Sequence, residues 1–324
     1  MINSASNLEI GKLYFERGDT LRAVEVLEPI AEQSLASKDY DTYLEATHTL
    51  YRSYSELLEF DKIAQSRVLL LELAQEKSAH YASKTHYILG LCSSSQRNYA
   101  ESLYHCKQAL ETGLSVNNKE DVCFATLGLA ISYYYLDSVV ESLKEIYNVQ
   151  VFMNVVELPQ IRVSSHILKG HILRKQKNYD QALDILWQSY ETIKTDKNFY
   201  SYLTILFGLG SVYKEAGRLD EARVYLRMAQ RLIDPKNLKR LSRSVDELLI
   251  EVGGSDITDD DDYDLIFNNG SSEVMERDKG KVDFKNQFIL IDLLKLFLAN
   301  PGEAYNKESL VKLIWKQSYN PAVH

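Results

Sequence analysis

Residues 209–226, LGSVYKEAGRLDEARVYL, spell two helices and the turn that joins them. Gly210 precedes Ala222 by twelve residues, and the polar run KEAGRLDEA lies across the interval. Two antiparallel helices approach to roughly 8–10 Å, so a small residue on each partner supplies clearance at the closest point. Leu209 and Tyr213 sit at helical spacing and are expected to fill the face toward a neighbouring pair. Residues 10–27, IGKLYFERGDTLRAVEVL, repeat the pattern with Gly11, Ala23, Ile10 and Tyr14.

The same spacing recurs along the chain. Ala23, Ala64, Ser102, Ser142, Ala182 and Ala222 are separated by 41, 38, 40, 40 and 40 residues. Twelve residues before each stands Gly11, Arg52, Gly90, Ala130, Gly170 or Gly210. A helical hairpin has two apolar faces and buries both only by stacking on further copies, so the reading is a solenoid of six units.

In its Leu-Gly, aromatic, Gly, Ala and large-apolar order, the repeat resembles the tetratricopeptide family over about residues 5–235. The second and fourth units depart from it, with Arg52 and Ala130 at the glycine position. The resemblance implies a mainly α fold, a right-handed superhelix of about six hairpins over 1–235, and a groove that binds a protein or peptide. The period of about forty exceeds the family's usual ~34 and implies longer helices. Residues 236–254 are expected to add a closing helix.

Projected from the glycine alignment, Lys12, Tyr134, Tyr135, His171, Arg174, Lys175 and Lys214 fall on the inner face. A basic patch beside aromatic rings suits an acidic peptide or a carboxylate; solvated helix faces are the alternative. The family's carboxylate clamp uses inner-face Asn, where this chain has Lys12, Ser53, Leu91, Ile131, His171 and Ser211, so that clamp is not expected.

Several functions find no support. His80 and His86 are six apart and His166 and His171 five apart, whereas ligands on one helical face stand three or four apart. Cys92, Cys106 and Cys123 have no metal-like spacing and fit reduced thiols in a cytoplasmic protein. Cys106 falls at a large-apolar core position, which argues against a catalytic thiol. No phosphate loop, dinucleotide glycine motif or nucleophile elbow appears, so neither cofactor nor enzymatic activity is expected. The start lacks a secretory pattern, and FILIDLLKLFLA is too short and too charged to span a membrane. The net charge of −9 argues against a surface that is basic throughout.

Residues 255–264, rich in Asp, read as a solvated linker; the alternative is a segment that covers a basic DNA-facing surface and competes with phosphate. From 265 the pattern turns to short β-leaning pieces, then an apolar helix, then NPGEAYNKESLVKLIW at 300–315. The helices are expected to bury Phe288, Ile291, Leu294 and Leu298, then Leu310, Leu313 and Ile314, with Asn306 as N-cap. This order resembles the winged-helix DNA-binding domain of OmpR/PhoB-type regulators. The resemblance implies a small α+β module over 265–324 that stops before the recognition helix and the wing, hence an incomplete domain. Seven acidic and eight basic residues leave 265–324 near neutral, so within the chain only Asn306 and Lys307 are candidates for a phosphate contact.

Two functions follow from these resemblances. One is a bacterial-type transcriptional regulator, whose repeats take a partner and whose completed winged helix binds DNA, symmetric sites favouring a homodimer. The other is a protein-interaction adaptor with a vestigial winged-helix segment and no DNA binding.

Overall fold

Several turns between helices are set by a pair of residues, the first left-handed and the second a helix cap. Lys38, Arg97, Asn117, Asp137 and Lys177 have φ near +60°, and Gly18 and Gly217 have φ of 77° and 76°. The next residue caps the following helix: Asp19 accepts from the Arg22 amide, Asp39 from Thr42, Asn98 from Glu101 and Asn118 from Asp121. Amides just past the turn close back five residues, as in Asn98 N to Ser93 O at 2.8 Å and Arg218 N to Tyr213 O at 2.9 Å.

The computed structural model describes residues 4–76, 79–194, 198–253, 265–268, 273–276, 280–283, 288–299 and 304–315. It divides into two compact units, Met1–Gly254 and Ser255–His324. The first holds helix pairs α1 (Ser4–Glu16) and α2 (Thr20–Ala36), α3 (Tyr40–Leu57) and α4 (Phe60–Glu76), and α5 (Ala79–Ser95) and α6 (Tyr99–Ser115). After them come α7 (Lys119–Tyr135) and α8 (Val139–Phe152), α9 (Pro159–Lys175) and α10 (Tyr179–Ile193), and α11 (Phe199–Glu215) and α12 (Leu219–Leu232). A closing helix, α13 (Lys239–Glu251), buries Leu241, Val245 and Leu249 at intervals of four.

The expected close approach is present with a sharper geometry. A Cβ on Gly11 would lie 2.5 Å from Leu27, one on Gly90 2.8 Å from Cys106 Sγ, and one on Gly170 3.0 Å from Leu186. At Gly210 it would lie 2.6 Å from Leu226. Each glycine therefore makes room for the large side chain one turn beyond the partner's small residue, sixteen positions along. In the fourth unit Ser142 Oγ donates to Ala130 O at 2.7 Å instead.

The second unit breaks the rule. Ala64 is exposed and Ile63 takes the buried place, 1% accessible. Arg52, at the glycine position, does not make the expected crossing with Ala64 and lies over the Phe15 ring of α1 instead. Another expectation also shifts: Ile10 is 39% exposed, and Leu8 and Phe15 carry the burial in α1. Leu209 and Tyr213 are buried as expected.

In the second compact unit, β1 (Leu265–Asn268), β2 (Glu273–Glu276) and β3 (Gly280–Asp283) form an antiparallel sheet in that order. Ile266 pairs with Met275, and Val274 with Val282. Then come α14 (Phe288–Ala299) and the short α15 (Lys307–Leu310), which runs into a wider turn at Val311–Trp315. Asn306 caps α15 by accepting from the Ser309 amide at 2.8 Å. Ile291 and Val311 are the buried residues here, while Leu298 and Leu313 are each 50% exposed, contrary to expectation. Val311 begins the wider turn. The acidic run 255–264 lies outside the described residues.

Candidate functional site

The groove residues named from sequence are gathered only in part, and their charges are already matched. Tyr134 is buried, with the Lys175 ammonium 4.3 Å above its ring. Lys175 also donates to Tyr134 O at 3.2 Å and pairs with Asp137 at 3.1 Å. Arg174 pairs with Glu215 at 3.3 Å, and Lys214 pairs with Glu251. Tyr135 is half exposed and stacks on Tyr99 with 4.5 Å between centroids. Burial, with the Arg174 charge adding to it, pushes the His171 imidazole down to about 3, so it is neutral. Ser53 and Ser211, projected onto the inner face, are buried and bond back to Thr49 O and Phe207 O.

A cavity of about 290 Å³ opens elsewhere, among α1, α3, α5, α7 and the start of α9. Its wall carries Glu9, Glu16, Glu45 and Glu120 against Lys12, Arg52 and Lys84, with Phe15, Phe124, Leu158 and Ile161 between them. Lys12 bridges Glu9 at 3.1 Å and Glu45 at 2.9 Å, and Lys84 reaches Glu45 from the other side. Burial pulls the Lys84 ammonium below its ordinary value, against the pull of Asp121 and Glu120. Burial, then the charges of Arg52 and Lys12, push His48 down to about 3.

Arg52 differs from the other two cations. Its guanidinium lies 4.4 Å above the Phe15 ring, and among the described residues no carboxylate comes within ion-pair distance of it. A guanidinium stacked on an aromatic face and lacking an anionic partner offers a planar fork of N–H donors. Sequence reading passed over this residue, although its place at the glycine position of the second unit was the available clue.

Beside the cavity, the first two repeats meet the last helices. The Glu56 side chain is 1% exposed and accepts from Tyr200 Oη at 2.7 Å and from Arg240. The Leu21 amide donates to Asn237 Oδ1 at 2.9 Å, and Thr20 donates to Asn237 O.

The remaining candidates are inert or already engaged. The three thiols are buried, and burial raises Cys106 to about 12. His86 and His105 face each other with Nδ1 atoms 3.2 Å apart, a contact their sequence positions did not suggest. No cluster of three or more His, Cys, Asp or Glu suited to a metal occurs among the described residues. Asn306 is occupied in capping, and Lys307 is exposed. No helix among the described residues is long and apolar enough to cross a membrane.

Residues 162–233 match a family model described as Tetratricopeptide repeat. No curated protein matches the chain by sequence. Among solved structures, a Rap protein complexed with Competence and Sporulation Factor is 16% identical with a TM-score of 0.56, covering 77% of this chain and 71% of that one. The quorum sensor NprR from B. thuringiensis, in its apo form, is 14% identical with a TM-score of 0.48, covering 78% and 72%. BtubC from P. vanneervenii is 15% identical with a TM-score of 0.46, covering 66% and 90%. The stretch 162–233 is thus a segment of tetratricopeptide repeats, set in a mainly α fold of the same kind.

Proposed function

We propose that the first unit is a protein-interaction scaffold that takes an acidic peptide, or an acidic segment of a protein, in the cavity bounded by Arg52. The unpaired Arg52 guanidinium on Phe15 carries this reading. Every other cation of the cavity already has a carboxylate, so a carboxylate from a partner is the group the site lacks. The Rap protein of similar fold, crystallised with Competence and Sporulation Factor, supports a ligand-binding role for such a stack. The test is retention of a labelled pool of short acidic peptides, with the Gln-for-Glu pool as control. Wild-type chain should retain the acidic pool and Arg52→Glu should lose it. Equal retention by both chains, or none by either, sinks the proposal.

A second reading concerns the other unit. A three-stranded antiparallel sheet followed by α14 and the Asn306-capped α15 supports kinship with OmpR/PhoB-type winged helices. On that reading the protein is a transcriptional regulator whose repeats bind a partner and whose completed winged helix binds DNA, as a homodimer on symmetric sites. The competing function is an adaptor that never binds DNA. A gel shift with this chain and with a version extended by the recognition helix and wing separates them. A shift only with the extended version supports the regulator, and none with either favours the adaptor.

A further inference from the structure

A repeat stack needs only contacts between neighbouring units, yet here the first two helix pairs are joined to the last helices. Glu56 on α3 takes Tyr200 Oη from α11 and Arg240 from α13. The Phe15 ring lies 4.9 Å from that of Tyr200, and a Cβ on Gly18 would lie 3.3 Å from Leu238. Asn237 ties down the start of α2 through Thr20 and Leu21. The seam joins polar contacts around Glu56 and Asn237 to buried Phe15 and Leu238. Glu56 Oε2 has no hydrogen-bond partner among the described residues.

The Glu56 side chain is 1% exposed while that of Arg240 is 48% exposed, so desolvation of the carboxylate offsets much of the attraction; parting the seam returns Glu56 to water and costs the packing of Tyr200 on Phe15. Phe15 belongs both to the seam and to the cavity wall, which also carries Arg52 stacked on it. Opening the seam therefore widens the route to the cavity.

We propose that Glu56, Tyr200, Arg240 and Asn237 form a releasable clasp that holds the repeat stack shut around the Arg52 cavity and controls access to it. Its role in regulating a partner rests on the function proposed above, but the clasp itself is testable without any partner. Leu13 lines the cavity and is 49% exposed, whereas the native thiols Cys92, Cys106 and Cys123 are buried. In a Leu13→Cys chain, the labelling rate with a polymer-linked maleimide is divided by the rate with a small maleimide, which cancels thiol reactivity. Adding Arg240→Ala leaves the buried Glu56 carboxylate without its cation and should raise that ratio, by about tenfold or more. Asn237→Ala, a milder lesion at the same seam, should raise it less, with circular dichroism confirming native helix content for each variant. An unchanged ratio in a folded Arg240→Ala chain overturns the clasp. If Arg240→Ala does not fold, an unchanged ratio in Asn237→Ala does so. Failure of peptide binding with a raised ratio would remove the partner reading and leave the clasp standing.

Discussion

The Tyr200 ring lies 4.9 Å from the Phe15 ring, and its hydroxyl donates to Glu56 at 2.7 Å. Tyr200 packs both on the core of the first three units and on the core of the last two. It is a joint between the ends of the repeat, apolar in its body and polar at its tip. The two parts should separate by mutation.

Tyr200→Phe keeps the ring and removes the donor from a buried carboxylate. It should lower stability by about 1–3 kcal/mol. Tyr200→Ala also removes the packing and should cost more, about 3–5 kcal/mol. Urea unfolding at neutral pH reads both, and a Phe variant with the wild-type midpoint would show that the hydroxyl contributes nothing.

Gly210→Ala places a methyl where Leu226 Cγ would be 2.6 Å away and Ala222 O 3.4 Å away. The neighbouring helix must shift, costing about 1–3 kcal/mol. Adding Leu226→Ala should recover part of the loss in the double variant relative to the sum of the single ones. Strict additivity in thermal melts would mean that the two side chains do not collide.

Stability should fall on acidification through the buried imidazoles. Burial holds His48 and His171 down to about 3 and His105 to about 4, against an ordinary 6.5. Below pH 6.5 the unfolded chain binds protons that the folded chain excludes, so this stabilisation is whole above 6.5 and drains away as pH falls toward 3–4. One such imidazole accounts for about 1.5–2 kcal/mol between its ordinary pKa and a pH about 1.5 units lower. His105→Gln should flatten the stability-against-pH curve over that range. A slope equal to wild type would mean that His105 titrates alike in both states.

Ser142 is fully buried and donates to Ala130 O at 2.7 Å across the fourth hairpin. Ser142→Ala should cost about 1 kcal/mol. Ser142→Val, which overfills the crossing where other units have glycine, should cost about 1–3 kcal/mol. The order Ala above Val in melting temperature is the result to check, and the reverse order would deny that the crossing is tight.

By itself the sequence determined the hairpins and, outside the second unit, their close crossings. A Gly-to-small-residue spacing of twelve and a cap residue after several of the turns act within a few dozen residues, where local sterics and hydrogen bonding decide the outcome. It also placed Asn306 as a cap, because capping is a property of four consecutive residues. The groove was less legible. Tyr134 is buried and His171 half-buried, and Arg174, Lys175 and Lys214 are matched by Glu215, Asp137 and Glu251 from elsewhere in the stack. Only the tertiary structure decided that Arg52 is the cavity cation without a carboxylate and that Glu56 meets Arg240, 184 residues away. The reason is cumulative geometry. Each unit rotates slightly on the last, and the meeting of the ends depends on the sum of those rotations, including the irregular second unit, which no single stretch of sequence encodes.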